Sequence, residues 1–274
     1  MRQFVVPLNQ EVNRIEALPV PVVAYGRDLA PGDILPWHHH RRAQLVYGSN
    51  GIMAVTTPGA AYVVPPQRAV WVPGGVEHQI EARSAVTMRT LYLQPDEHRD
   101  LPTDVCVLQV TPLLRELLVE AVEAGPDYPP NSPQSRVMAV ILDQICTQPV
   151  ASLALPMPTE PRVLKVAQAL MANPGDQRDL GEWASVVGAS RRTLTRLFDR
   201  ETGMSFRAWR QQLRVHRALE LLAQGSGVTA TAYDLGYENV SAFIAMFKRC
   251  LGATPVRYLA RYGAPSPTGD RDAD

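Results

Sequence analysis

Two groups of residues carry the side chains in this 274-residue chain whose types and spacing could do chemistry. The first is Arg191, Arg192, Thr195 and Arg196, directly after Ser190. At helical spacing Leu194, Leu197 and Phe198 share one side, which leaves the arginines and Thr195 facing outward. An Arg fork can pair with guanine through two hydrogen bonds, and Thr can touch a thymine methyl or accept from a base edge. Ser190 is well placed as the N-cap of that helix. A lone helix of this kind is more often a solvated basic face. The second group is histidine: His38-His39-His40, and His78 at the end of Pro73-Gly-Gly-Val-Glu-His78. His38 and His40 are two apart, so a strand would turn both to one face. Neutral imidazoles gathered at one place are ligands for a transition metal. The bland alternative is a polar cluster, or hydrogen-bonding groups for a ligand without metal.

The arginine helix does not stand alone, because its surroundings occur twice. Leu180, Ala184, Gly188, Leu194, Leu197, Phe198 and Gly203 recur as Val228, Ala232, Gly236, Phe243, Met246, Phe247 and Gly252. The second copy has one extra residue in its turn. Each copy reads as a short apolar-periodic helix, a glycine turn and a second helix: a helix-turn-helix. In the second copy the outward positions are Asn239, Ser241, Ile244, Ala245 and Lys248, with Arg249 behind. Of these, Ser241 and Lys248 offer base or phosphate hydrogen bonds, while Ile244 and Ala245 offer apolar contact. The first copy is therefore expected to do most of the reading. Ser205 to Leu222 reads as one joining helix of about 27 Å, long enough to hold two reading helices one turn of DNA apart.

Charge points the same way. The formal net charge is zero, yet residues 1–159 carry 11 Lys+Arg against 15 Asp+Glu. Residues 160–263 carry 15 against 9, and the tail from Ala264 carries 1 against 3. The repeated segment is thus the basic part of an otherwise acidic chain, as attraction to phosphate requires. No apolar run approaches a membrane span, and Met1–Pro7 lacks a signal-peptide core, which predicts a cytoplasmic protein. Cys106, Cys146 and Cys250 are read as buried, reduced thiols.

Ahead of the repeat, short strand-like runs occupy Val22–Tyr25, Ala43–Val46, Ile52–Thr56, Ala61–Val64, Ala69–Val72 and Met88–Leu93. Their spacing suggests a β-sandwich or barrel. Two helical patterns follow. Pro112–Ala124 places Leu113, Leu114, Leu117, Leu118 and Val122 on one side; Ser135–Cys146 does so with Val137, Val140, Ile141 and Ile145. Pro149, Pro156, Pro158 and Pro161 punctuate what reads as a linker, and Pro265–Asp274 reads as disordered.

Thr193–Gly203, Leu213, Arg214, Ala218 and Leu221, with Gly236-Tyr237, Ala242-Phe243, Phe247-Lys248, Gly252, Thr254-Pro255 and Tyr258, resemble the DNA-binding domain of AraC/XylS-type transcriptional regulators. The resemblance spans roughly Arg162–Tyr262. It implies base contacts from Arg192, Thr195 and Arg196, and from Ser241, Ile244 and Ala245. Thr231 and Asp234 depart from the family pattern in an otherwise apolar helix, which is expected to pack less tightly.

His38, His40 and Gln44, followed by Pro-x-Gly-x-x-His ending at His78, resemble the two motifs of the cupin β-barrel. That resemblance implies a divalent ion held by the His pair, a Glu and the second-motif His. Here Gln44, a neutral and weaker ligand, stands at the Glu position, so the resemblance implies a three-histidine site of His38, His40 and His78 suited to Zn, Fe, Ni or Cu. Cupin sensors of such regulators bind small effectors, which makes Trp37, Tyr47, Arg68 and Trp71 candidate pocket residues beside His38, His40, Gln44 and His78. Ala43–Leu45 and Pro65–Trp71 also resemble regulators of a neighbouring exporter gene, by association alone.

The expected architecture is a two-domain α+β chain. A cupin-like sensor barrel occupies 1–110, a helical dimerisation segment 111–148 and a linker 149–161. An all-α domain with two helix-turn-helix motifs follows at 162–262, with a tail at 263–274. The expected function is sequence-specific binding of double-stranded DNA by a homodimer, tuned by a small effector. RNA polymerase is a partner if the outcome is activation, and no membrane is involved. Ser190, Arg191 and Lys248 complete the expected DNA-binding set. The rival is a metal-dependent cupin enzyme fused to DNA-binding helices. Against it stand the missing Glu and the absence of an acid/base pair beside the histidines. A third reading, a module that recruits another protein, predicts no DNA affinity.

Overall fold

The computed structural model describes residues 8–94, 101–148, 150–151 and 154–262. The readings made for Met1–Pro7, Pro149 and Pro265–Asp274 fall outside the described residues. Helix α1 (Leu8–Ala17) precedes β1 (Val22–Leu29), β2 (Ile34–His38), β3 (Ala43–Asn50), β4 (Met53–Thr56) and β5 (Ala60–Val64). Then come β6 (Arg68–Val72), β7 (His78–Ala82), β8 (Val86–Leu93) and β9 (Cys106–Gln109). Helices α2 (Pro112–Ala124) and α3 (Pro133–Thr147) follow, then β10 (Val150–Ala151) and β11 (Ala154–Pro156).

Two antiparallel sheets face each other, with strand orders β1-β8-β3-β6-β9-β10 and β11-β5-β4-β7-β2. Alternation sorts the side chains. Val46, Val70, Val72 and Met88 point inward and meet Met53, Val55, Val64 and Ile80 from the other sheet. Leu45, Tyr47, Ala69, Trp71 and Leu91 point outward from the larger sheet, under the apolar faces of α2 and α3. Strands β2 and β7 were not legible as runs. The first is an edge strand, which tolerates Pro36, and the second alternates polar with apolar residues.

Three expectations need correction. Leu113 and Val140 were assigned to core-facing sides, but they are 55% and 42% exposed. The buried positions are Leu114, Leu118 and Ala121 on α2, and Met138, Ile141, Leu142 and Ile145 on α3. The stretch expected to be a linker carries β10 and β11, which add an edge strand to each sheet. Its prolines permit this because an edge strand has backbone N–H groups to spare. None of the cysteines is fully buried, and Cys146 is exposed.

The C-terminal part is all helix: α4 (Pro161–Ala172), α5 (Leu180–Val186), α6 (Arg191–Thr202), α7 (Phe206–Ala223), α8 (Val228–Asp234), α9 (Val240–Leu251) and α10 (Pro255–Tyr262). Val163, Val166, Trp183, Leu194, Phe198 and Trp209 form one core, and Val215, Leu219, Ala232, Phe243, Phe247 and Tyr258 form another. Helix α7 contributes to both and so fixes the two motifs to each other. Thr231 takes a fully buried place where the family pattern is apolar, while Asp234 stays exposed.

The helical part is seated on the barrel. Ile52 and Val63 belong to the same apolar cluster as Val215 and Leu219. The Trp209 indole donates to the Pro156 carbonyl at 2.8 Å, and Arg83 pairs with Glu220 at 3.1 Å. Glu220 also pairs with Arg217 at 2.9 Å, so one carboxylate joins barrel and helices.

Candidate functional site

In the first motif, Gly188 (φ 65°) makes the left-handed turn and buried Ala184 allows the close crossing of α5 and α6. Ser190 caps α6, accepting from the Thr193 amide at 3.1 Å. Leu194, Leu197 and Phe198 are buried, which leaves Arg191, Arg192, Thr195 and Arg196 exposed on one continuous face. The Thr195 hydroxyl donates to the Arg191 carbonyl at 2.9 Å, so its methyl and lone pairs remain for a partner. The second motif repeats the design with Gly236 (φ 74°), Ala232 and Asn239, which caps α9 by accepting from Ala242 at 2.8 Å. Ser241, Ala245 and Lys248 are exposed, whereas Ile244 is half-buried against the second helical core. Asn239, expected as an outward contact, is spent on the cap.

At one end of the barrel, His38, His40 and His78 come together, with one ring nitrogen of each within 4.8 Å of the other two. His38 ends β2, but His40 lies beyond the strand in the following turn, so strand alternation does not bring them together. The turn is held from outside. Glu16 on α1 accepts from the Arg41 and Arg42 amides at 2.8 and 3.1 Å. Buried Arg42 donates to the carbonyls of Leu18 and Val20 at 2.7 and 2.9 Å. The Gly75 amide donates to the His40 carbonyl at 2.8 Å, tying this turn to the Pro73–His78 connection, which crosses from β6 in one sheet to β7 in the other. A Cβ on Gly74 would lie 2.1 Å from the Arg41 carbonyl oxygen, so the close approach requires glycine.

The hydrogen bonds fix the tautomers. Nδ1 of His38 faces the Pro36 carbonyl at 2.8 Å, that of His40 the Arg42 carbonyl, and that of His78 the Val76 carbonyl at 2.9 Å. A carbonyl only accepts, so each Nδ1 carries the proton and each neutral ring presents a bare lone pair at Nε2. Gln44 Nε2 donates to Thr90 Oγ1 at 2.9 Å, while that hydroxyl donates to the Leu45 carbonyl at 2.8 Å. The amide is thereby oriented with Oε1 towards the histidines, 3.1 Å from His40 Nε2 and 3.0 Å from His78 Nε2. Lone pairs face lone pairs there. Burial holds all three histidines below their usual range, His78 at about 3, so protonation does not supply the missing donor near neutral pH. A cation fits this donor set: three imidazoles oriented by backbone carbonyls, plus an amide oxygen.

Those depressed values fix the sign of an acid effect. Below about pH 6.5 the unfolded chain takes up protons that the folded rings refuse. Stability is then full above that pH and falls as pH drops towards the folded values, by about 1.4 kcal/mol per pH unit per proton. Chelator-treated protein is therefore expected to melt progressively lower from pH 6.5 to 5. The His78→Gln variant should show a shallower dependence; an unchanged slope would contradict the assignment.

Both halves of the chain match known domain families. A cupin domain matches residues 27–93, and a helix-turn-helix domain matches residues 183–261. The HTH-type transcriptional regulator NimR of Escherichia coli (strain K12) is 38% identical over 232 residues, covering 85% of each chain. The chain belongs to the AraC/XylS family of transcriptional regulators. The regulator RipA of Corynebacterium glutamicum is 41% identical over 100 residues, covering 36% of this chain and 30% of that protein. The arabinose operon regulatory protein of Salmonella typhimurium is 25% identical over 241 residues, covering 80% of this chain and 81% of its own.

As a cupin-bearing regulator with an AraC-type helix-turn-helix region, the protein places the candidate effector residues unevenly. His38, His40, Gln44 and His78 converge, and Trp37 stands 45% exposed on β2. Arg68 is half-buried, with the inward parity of Val70 and Val72. Tyr47 and Trp71 do not join them. Both face α2 and α3 from the outer side of the larger sheet, and the Trp71 indole donates to the Pro102 carbonyl at 2.7 Å. They are core residues, since their odd positions point away from the barrel interior. Thr90, which orients Gln44, was missed; its partner sits 46 residues away in sequence. No helix among the described residues is long and apolar enough to cross a membrane.

Proposed function

We propose that this regulator senses a divalent metal ion at His38, His40, His78 and Gln44, and that occupancy of this end of the barrel changes how the protein engages DNA. The convergence of Gln44 Oε1 and two histidine lone pairs carries this reading, because unfilled it sets acceptor against acceptor. Bound there, an ion would supply positive charge and rigidity to the turn that α1 and the Pro73–His78 connection hold. The seating of α7 on the barrel, through Ile52, Val63 and the Arg83–Glu220 pair, offers a route by which the barrel can bias the reading helices. A second reading is an effector whose own N–H or O–H groups satisfy the same lone pairs. Half-buried His38 and exposed Trp37 favour it by leaving that end accessible.

The DNA-reading set under this proposal is Arg191, Arg192, Thr195 and Arg196, with Ser241, Ala245 and Lys248 secondary, Ile244 touching by its outer edge, and Ser190 acting through the cap. The regulator works in the cytoplasm without catalytic turnover, on a neighbouring gene; an exporter is the target suggested by resemblance. RNA polymerase is a partner where binding activates. A footprint on the intergenic DNA, with and without Zn(II), Ni(II), Cu(II) or Fe(II), tests the proposal. A metal-dependent change in protection is expected. Protection identical under every ion and under chelator would count against metal sensing.

Leu113 and Val140 project from α2 and α3 without a core to fill, and we assign them to a homodimer contact in the segment 111–148. The full chain is expected to sediment as a dimer at about 10–50 µM, a range that micromolar affinity would populate. Val140→Glu or Leu113→Glu should shift it towards monomer with an unchanged melting point. A wild-type monomer at those concentrations would contradict the assignment.

A further inference from the structure

Helix α7 carries Arg207, Arg210 and Arg214 at positions i, i+3 and i+7, which lie in one stripe along the helix. Across a cleft of about 260 Å³, α9 contributes Arg249. Gln211 and Tyr237 line the same cleft. Among the described residues, none of these four guanidinium groups forms an ion pair. The nearby Asp176 is taken up by Arg178, through contacts of 2.6 to 3.1 Å. The cleft is also held in shape. Arg210 donates to the Arg178 carbonyl at 2.9 Å, and Arg214 donates to the Pro174 carbonyl at 3.1 Å while lying 5.3 Å over the Tyr237 ring. Arg249 reaches Gln211 Oε1 at 3.5 Å. Burial and the neighbouring Arg214 both disfavour the charge on Arg210, a cost that an anion in the cleft would relieve.

We propose that this cleft clamps the DNA phosphodiester backbone between the two reading helices. Position favours DNA over a free anion. One side of the cleft reaches the start of the first motif, where Arg210 holds the carbonyl of Arg178, the residue before Asp179 at the N-cap of α5. The other side is α9 itself, through Ala242, Met246 and Arg249, next to the exposed Ser241, Ala245 and Lys248. A duplex that offers successive major grooves to α6 and α9 must pass its intervening backbone across this surface. Contacts there carry no base information directly. They fix register and draw on how easily the spacer DNA deforms.

The inference rests on the DNA-binding reading, and the test separates the two. Full-length wild type and the double variant Arg207→Ala/Arg249→Ala are titrated by fluorescence anisotropy onto a bound site and onto unrelated duplex, between 50 and 300 mM salt (roughly the range over which counterion release is measured). Losing two phosphate contacts should lower the slope of log K against log salt by about 1.8 and weaken binding about 30-fold near 0.15 M salt. The loss should be similar on both duplexes, and Arg207→Lys/Arg249→Lys should recover most of it. Unchanged slope and affinity in the alanine variant, with wild type binding normally, would overturn the clamp. Failure of wild type to bind any duplex would instead overturn the DNA-binding reading. A second arm adds inorganic phosphate or pyrophosphate without DNA. If millimolar anion raised the melting point of wild type but not of the alanine variant, a free phosphate-bearing ligand would replace DNA as the occupant. No such shift is expected.

Discussion

Replacing Arg196 with alanine is expected to weaken specific DNA binding by about 1–3 kcal/mol, roughly five- to 150-fold, and to relax base preference at one position. Arg192→Ala should behave in the same way. Both side chains stand exposed on α6, whose buried Leu194, Leu197 and Phe198 anchor it from behind. Truncation therefore removes contacts without opening the core. Lys248→Ala should act differently. A point charge on α9 binds phosphate, so specific and unrelated duplexes should lose similar amounts. Competition assays against single-base operator variants measure the difference. Equal loss of discrimination from Arg196→Ala and Lys248→Ala would show that the two motifs read equally.

The second large effect concerns the histidines. If protein purified without a His-tag carries a divalent ion, chelator should lower its melting point markedly, because the unfolded chain has no preformed site. At ion concentrations about a thousandfold above Kd the stabilisation is about 4 kcal/mol. His78→Ala should abolish the chelator effect. Gln44→Glu should enlarge it, since a carboxylate stands where the amide oxygen now faces His40 and His78. Elemental analysis gives the stoichiometry. Substoichiometric metal together with a chelator-insensitive midpoint would transfer the site to the hydrogen-bonding effector.

The reading motifs were legible because they are local. Leu194, Leu197 and Phe198 define a face by spacing alone, and Gly188 and Gly236 mark turns that the backbone makes at positive φ. The helix Pro112–Ala124 was legible to the residue, since Thr111 caps it and Gly125 follows it. The exposure of Leu113 was not, because Leu113 lies at the border of the apolar face, beside Glu116 and Glu120 at helical spacing, and spacing alone does not say how far the sheet reaches across that face. Tyr47 and Trp71 misled for a related reason. A strand buried on both faces hides which parity points inward, and that is settled by β8 and β9 pairing from distant sequence. Gln44 was noticed as a departure from Glu, but the Thr90 bond that aims its oxygen joins strands far apart in the chain. The α7 arginine stripe was legible in principle from the spacing of Arg207, Arg210 and Arg214. Its meaning came only when α9 placed Arg249 opposite.

The most direct test of the account is selection of bound sites from randomised duplex DNA with the full-length protein, followed by the same selection with Arg196→Ala. A bipartite site is expected, two elements about one turn of DNA (roughly 10 base pairs) apart, with the stronger preference under the first motif and lost in the variant. A single element, or enrichment unaffected by Arg196→Ala, would contradict it.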